Sequence, residues 1–310
     1  RDHLTAMLAL NRTRAYTLPS NVQSAEAFFA YEKIGDTHLS LYTLNNLRPY
    51  WSEANVSRTP LVSVIIRTVN RPAMLKNALE SLAGQIYPEI EALVINDGGK
   101  DISDVVSSFK GSVSKLRYVP LNPNQGRSRA ANMGLQEAAG QYLMFLDDDD
   151  WLYPDHIAKL VDALEKEETE QVAYTGVECL SETAPGRWER IHVFDDPFDP
   201  VLLLIRNFIP IHSALFRREL TDDGCRFDEN LNIYEDWDFW VQLGQKSNFR
   251  NVEGVSAAYR IGGKGGFGVA GDLSLQYQSQ QMFFEKWRRL WSHQQLSGII
   301  SYALHEMDFR

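Results

Sequence analysis

Asp147, Asp148, Asp149 and Asp150 follow the apolar run Tyr142 to Leu146 with no spacer. Like charges this close repel and raise one another's pKa values, and a bound divalent cation removes that cost. Oxygen-only ligation suits Mg2+ or Mn2+, and Mg2+ is commonly held by one or two carboxylates together with substrate phosphates. The plainer alternative is a solvated acidic turn ahead of the helix that Pro154 opens. Its place at the end of a buried strand favours the metal. A second candidate is Asn96-Asp97-Gly98-Gly99, again after an apolar run. Asp97 could accept hydrogen bonds from a nucleobase or ribose, and the glycines let a ligand approach the backbone. Taken alone, a plain strand-to-helix turn explains it better. The third is Tyr234-Glu235-Asp236-Trp237-Asp238-Phe239-Trp240. Acids opening a helix often only complement its dipole. The functional alternative is a general base in a pocket walled by Trp237 and Trp240.

These residues need a scaffold, and the pattern from Leu61 onward supplies one. Leu61–Ile66, Ala92–Ile95, Leu116–Val119 and Tyr142–Leu146 read as buried strands. Helical periods over Ala73–Leu82, Ile102–Phe109, Arg129–Ala139 and Asp155–Lys166 alternate with them. Such alternation implies a mostly parallel sheet with helices on both faces, whose ligands sit at the carboxyl ends of the strands. That rule selects 68–70, 96–99 and 147–150. Beyond it, Val172–Cys179, Ser213–Phe216 and Val255–Ile261 read as strands and Asp236–Leu243 as a short helix. Residues 262–268 are glycine-rich, and 262–271 read either as a lid with Lys264 on phosphate or as a surface loop. Three parts are expected: an N-terminal extension over 1–59, a main domain over 60–270 and a helical tail over 271–310. Met282, Phe283, Trp287, Leu290 and Trp291 form an apolar stripe on that tail. Packing on its own domain is preferred to a peripheral membrane contact.

Composition narrows the class. In 310 residues, 31 Lys and Arg stand against 41 Asp and Glu, a net charge of −10, which argues against a nucleic-acid partner. Only Cys179 and Cys225 occur, so no disulfide framework is implied and a reducing compartment fits. No apolar run approaches the ~20 residues of a membrane span. The chain opens on Arg1 rather than methionine, so it reads as a mature chain or an excised piece, with flanking domains or a homo-oligomer left open.

The segment Val62-Ser63-Val64-Ile65-Ile66-Arg67-Thr68-Val69-Asn70-Arg71 resembles the opening strand of family 2 glycosyltransferases with the GT-A fold. Gln85-Ile86-Tyr87-Pro88, Val94-Ile95-Asn96-Asp97-Gly98, Asn124-Gln125-Gly126 and Asn132 continue the resemblance. So do Phe145 to Asp150, which is similar to the family's Asp-x-Asp region, and Glu235-Asp236-Trp237-Asp238, similar to its acceptor-side motif. The match runs in order over about 61–261.

The resemblance implies an inverting transfer of a sugar from a nucleoside-diphosphate sugar to a glycan or lipid-linked acceptor. It also implies a cytoplasmic setting at or near the inner face of the membrane, in polysaccharide or glycan synthesis. Thr68 and Asn70 would border the nucleotide, Asp97 its base, Asp148 the ribose or sugar and Asp147 the sugar. Asp149 would hold Mn2+ or Mg2+, Arg127 and Arg129 could reach phosphate, and Asp236 would be the base, with Glu235 and Trp237 on the acceptor side. Arg67 stands where the family often has proline, and Ala131 where arginine is common. These departures keep a donor-binding scaffold without transfer activity as the rival. A nucleotidyl-transfer enzyme is disfavoured, because no phosphate-cradling basic loop follows the first strand.

Overall fold

The computed structural model describes residues 59–166, 169–231, 233–261, 273–288 and 291–308. The expectations for 1–58 and for the glycine-rich segment lie outside the described residues. In chain order the strands are β1 (Val62–Thr68), β2 (Ile90–Asp97), β3 (Lys115–Leu121), β4 (Tyr142–Asp147), β5 (Trp151–Leu152), β6 (Val172–Ala184), β7 (Arg187–Phe194), β8 (Ala214–Arg217) and β9 (Phe249–Ile261). The helices are α1 (Pro72–Ala83), α2 (Ser103–Ser107), α3 (Arg127–Glu137), α4 (His156–Lys166), α5 (Pro200–Leu203), α6 (Glu219–Asp222), α7 (Glu235–Gly244), α8 (Leu273–Arg288) and α9 (His293–Asp308).

Every residue of β1 and β2 is buried, as expected for strands covered on both faces. Side chains alternate between two layers. Ile65, Leu93, Ile95 and Phe145 face one, and Val64, Ile66, Val94 and Leu146 the other. β3, β2, β1 and β4 lie side by side and parallel, so strand order reverses between β1 and β4. The register pairs Arg67 of β1 with Asp147 of β4. The ends of both strands therefore open into one crevice, the usual ligand position in such sheets.

Past β4 the sheet is mixed rather than mostly parallel. β8 is antiparallel to β4 and β6, β7 is antiparallel to β6, and β9 runs parallel to β6. β6 and β7 are joined through Pro185 and Gly186, and a connection that short forces an antiparallel partner. The sequence pattern overlooked β7 because Arg187, Glu189, Arg190, Ile191 and His192 are exposed and break the apolar alternation.

α3 lies directly on β1. A Cβ at Gly134 would stand 2.2 Å from Ile65 Cγ2, closer than two carbons can approach. Gly134→Ala should gain about 1 kcal/mol of helix propensity and lose about 1–3 kcal/mol to overpacking. Net destabilisation in urea denaturation is the expected result. A raised midpoint would contradict this packing.

The tail packs as expected. Phe283 is fully buried and stacks on Trp237 with ring centroids 3.8 Å apart. Trp287 Nε1 donates to Asp238 Oδ1 at 2.9 Å, and Lys286 Nζ pairs with the same carboxylate at 2.8 Å. α8 is thus bolted to α7 from behind. Met282 points outward, and Leu290 lies outside the described residues. Among the described residues no helix is long and apolar enough to cross a membrane.

Candidate active site

Three of the four carboxylates are met by guanidinium groups of the chain itself, and the fourth by an imidazole. Asp147 accepts from Arg67 Nη2 at 2.7 Å and lies 3.6 Å from Arg127 Nη2. Burial alone would raise its pKa, but the two guanidinium groups outweigh that and hold it at about 2. Asp148 is buried, accepts from Thr68 Oγ1 at 2.6 Å and pairs with Arg71 Nη2 at 2.6 Å. There burial wins over Arg71, and the carboxyl is pushed up to about 7. Asp149 is one-fifth exposed and accepts from Arg71 Nη1 at 2.8 Å. Asp150 is buried beside His212 Nδ1 at 3.0 Å, with its pKa raised by burial to about 6.

α7 enters from the other side of the crevice. Tyr234 precedes it in a left-handed conformation, φ 65°, and no side chain caps its first turn. Three acids, Glu235, Asp236 and Asp238, open the helix and favour its positive end. Glu235 is buried and accepts from Arg127 Nε at 2.7 Å and Arg67 Nη1 at 3.3 Å. Asp236 is half-buried. It accepts from Asn207 Nδ2 at 2.9 Å and from its neighbour Trp237 N at 2.8 Å. Lost hydration and then the Glu235 charge raise its pKa to about 6, against the pull of Arg127. Burial raises the pKa of Tyr259 on β9, and the charges of Asp150, Asp147, Asp236 and Asp149 add to it. One phenol therefore feels the acids of both walls.

The other expected residues divide. Asn70 is exposed at the end of β1, φ 55°, and its Oδ1 accepts from Lys100 N at 3.0 Å, joining the first loop to the second. Asp97 accepts from Gln125 N at 2.7 Å and Gly126 N at 2.9 Å, so its carboxylate shapes the loop entering α3. Arg129 lies exposed on α3. It is Arg127, two residues earlier, that carries the ion pairs of the crevice. Trp237 differs most from expectation. It is 2% exposed, donates to Leu203 O at 2.5 Å and stacks inside the core. With Trp240 it supports α7 from below, and neither forms a sugar-facing wall, because the apolar face of the helix points inward.

Sequence reasoning gave no role to Arg71, Asn207 or His212, and treated Arg67 only as a departure. A cation at the end of a wholly buried strand was the available signal for Arg67. Asn207 sits in an irregular loop and carried no signal.

Among the described residues no three His, Cys, Asp or Glu side chains form a ready metal cage. The donors do fit a hard cation in the mode where substrate phosphate completes the shell. Asp149 offers accessible carboxylate oxygens, and Asp148 Oδ1 and Asp150 Oδ2 are buried oxygens met only by ion-pair contacts.

Comparison with known proteins places this arrangement. The family model described as "Glycosyl transferase family 2" matches residues 63–225, a span that holds β1 to β4 and the acidic run and ends before α7. An uncharacterized glycosyltransferase, YwdF of Bacillus subtilis (strain 168), is 27% identical over 209 residues, 66% of this chain and 75% of that protein. A Rickettsia conorii counterpart is 31% identical over 191 residues, 59% of this chain but only 31% of the longer rickettsial protein. Among solved structures, S. aureus TarS 1–349 in complex with UDP-GlcNAc aligns with TM-score 0.59 at 19% identity, over 72% of this chain and 65% of that one. The mannosyltransferase PcManGT from Pyrobaculum calidifontis, in complex with GDP-Man and Mn2+, aligns with TM-score 0.55 at 19% identity, over 74% and 64%.

Proposed function

This chain belongs to glycosyl transferase family 2 and has the GT-A fold, and from that premise we propose that it is an inverting, metal-assisted enzyme with Asp236 as its general base. The donor is a nucleoside-diphosphate sugar, and the acceptor is a hydroxyl of a glycan or lipid-linked glycan. The nucleotide sugars held by the two solved neighbours support that donor class. The observation that carries the reading is the bridge across the crevice. Arg67 and Arg127 each contact Asp147 on one wall and Glu235 on the other, which brings Asp236 to the acidic run.

In the reaction, Asp236 takes the proton of the acceptor hydroxyl while that oxygen attacks the anomeric carbon. Attack comes from the side opposite the diphosphate. The bond from the anomeric carbon to the phosphate oxygen breaks, and its electron pair leaves with the nucleoside diphosphate. Asn207 and the Trp237 amide hold the carboxylate in place to accept the proton. Arg71 and Arg127, each about 30% exposed, are the cations able to turn toward the departing diphosphate. Asp149 would hold Mn2+ or Mg2+, which when bound supplies Lewis-acid stabilisation of the leaving phosphate.

A screen of UDP-, GDP- and dTDP-sugars with Mn2+, read as release of nucleoside diphosphate, tests the reading. Release from at least one donor is expected. Release of sugar 1-phosphate instead would point to nucleotidyl transfer, because attack at the α-phosphorus expels that group.

The pH dependence follows from the state of the base. Only ionised Asp236 accepts a proton, and its pKa is raised to about 6. kcat/KM should therefore fall tenfold per pH unit below about 6 and level off above it. A plateau reaching unchanged to pH 4.5 would contradict the base assignment.

A further inference from the structure

Arg67 is a cation at the end of a strand whose every residue is buried, and its own side chain is 6% exposed. Burying a charge is costly unless it is paired. Here the pairing is complete. Nη2 and Nε donate to Asp147 Oδ1 at 2.7 and 3.3 Å, and Nη1 donates to Glu235 Oε1 at 3.3 Å. The rings of Phe145 and Phe227 lie 5.8 and 5.9 Å from its Cζ, close enough for attraction to the ring faces. One rigid planar group thus touches the last residue of β4 and the first residue of α7. The residue after Glu235 is Asp236.

The first turn of α7 needs such an anchor, because no side chain caps it and it follows a left-handed residue. Arg127 also holds Glu235, but it is 30% exposed and approaches Asp147 only to 3.6 Å. Of the two guanidinium groups, Arg127 has room to move toward a phosphate and Arg67 does not.

We propose that Arg67 is a positioning residue for the transfer step: clamped between Asp147 and Glu235, it fixes where the first turn of α7 presents Asp236 to the donor. The inference rests on the assignment of Asp236 as base.

Packing shows where the same group could be supplied from elsewhere. Ile65 and Arg67 project from the same face of β1. Gly134 of α3 sits on Ile65, and Ala131 is buried three residues earlier on that helix. Three helical residues rise about 4.5 Å against the ~6.6 Å of two strand residues, which sets Ala131 near the level of Arg67.

The test compares the full chain with Arg67→Met and with Arg67→Met/Ala131→Arg, on the donor from the sugar panel that wild type turns over fastest. Misplacing a reacting group by about 1 Å costs about 100-fold. Arg67→Met is expected to lose about that factor in kcat with donor KM within about threefold, and the double variant to regain about tenfold. Should Arg67→Met not fold, Arg67→Lys takes its place, since it keeps the charge but loses the fork and should show the same split. A folded variant with kcat within about threefold of wild type, a loss carried by KM alone, or a double variant no better than the single overturns the inference. Turnover by Asp236→Asn at the wild-type rate would instead overturn the base assignment, and this inference with it. An inactive Asp236→Asn beside an unimpaired Arg67→Met removes only the positioning role.

Discussion

Asp236→Asn should lower kcat by about 100- to 10,000-fold, the usual contribution of a positioned general base. Affinity for the nucleoside diphosphate should change little. The amide keeps the shape of the carboxylate and its oxygen can still accept from the Trp237 amide, while its NH2 meets Asn207 only if the Asn207 amide turns its oxygen inward. It cannot accept and retain a proton. The substitution also removes a charge beside buried Glu235, whose repulsion helps raise the Asp236 pKa to about 6. The folded protein should therefore be no less stable, and a thermal melt run alongside the kinetics checks this. A variant that melts normally, binds nucleotide and fails to transfer isolates the proton step. A variant that transfers normally removes Asp236 from the mechanism.

The second large effect is expected at Asp149. Even outer partners of metal ligands cost about 10- to 100-fold in metal affinity when removed, so Asp149→Ala should weaken Mn2+-dependent nucleotide binding by about 100-fold or more. Calorimetric titration of UDP and GDP, with and without Mn2+, measures it. The opposing effect is local. Arg71 Nη1 lies 2.8 Å from Asp149, and without that carboxylate it is freer to meet phosphate directly. Metal-independent binding should therefore hold steady or rise while the Mn2+ enhancement disappears. An enhancement of wild-type size in Asp149→Ala would place the cation elsewhere.

Much of the part from β1 to β4 was legible because its signals are local. Fully buried parallel strands write themselves as unbroken apolar runs, so β1, β2 and β4 were found within a few residues of their ends. The acids then had to lie at the strand ends, where Asp147 to Asp149 are found. The part of the chain after β4 was less legible. β7 is a hairpin partner with an exposed polar face, and its place follows from pairing with β6 rather than from its own pattern. Trp237 was misjudged because a tryptophan next to a carboxylate reads equally as wall or as core. The packing of α8, far along the chain, and the bond to Leu203 O decide for core. The arginines were hardest. Arg67 to Glu235 spans 168 residues, and nothing local announces such a pair.

The most direct test is a crystal structure of the chain with a nucleoside diphosphate and Mn2+. The diphosphate should lie at the carboxyl ends of β1 and β4, with the cation about 2.1 Å from Asp149 oxygens and the terminal phosphate facing Asp236. A well-ordered nucleotide seated away from that crevice, or a terminal phosphate turned from Asp236 with α7 in place, would contradict a shared transfer site.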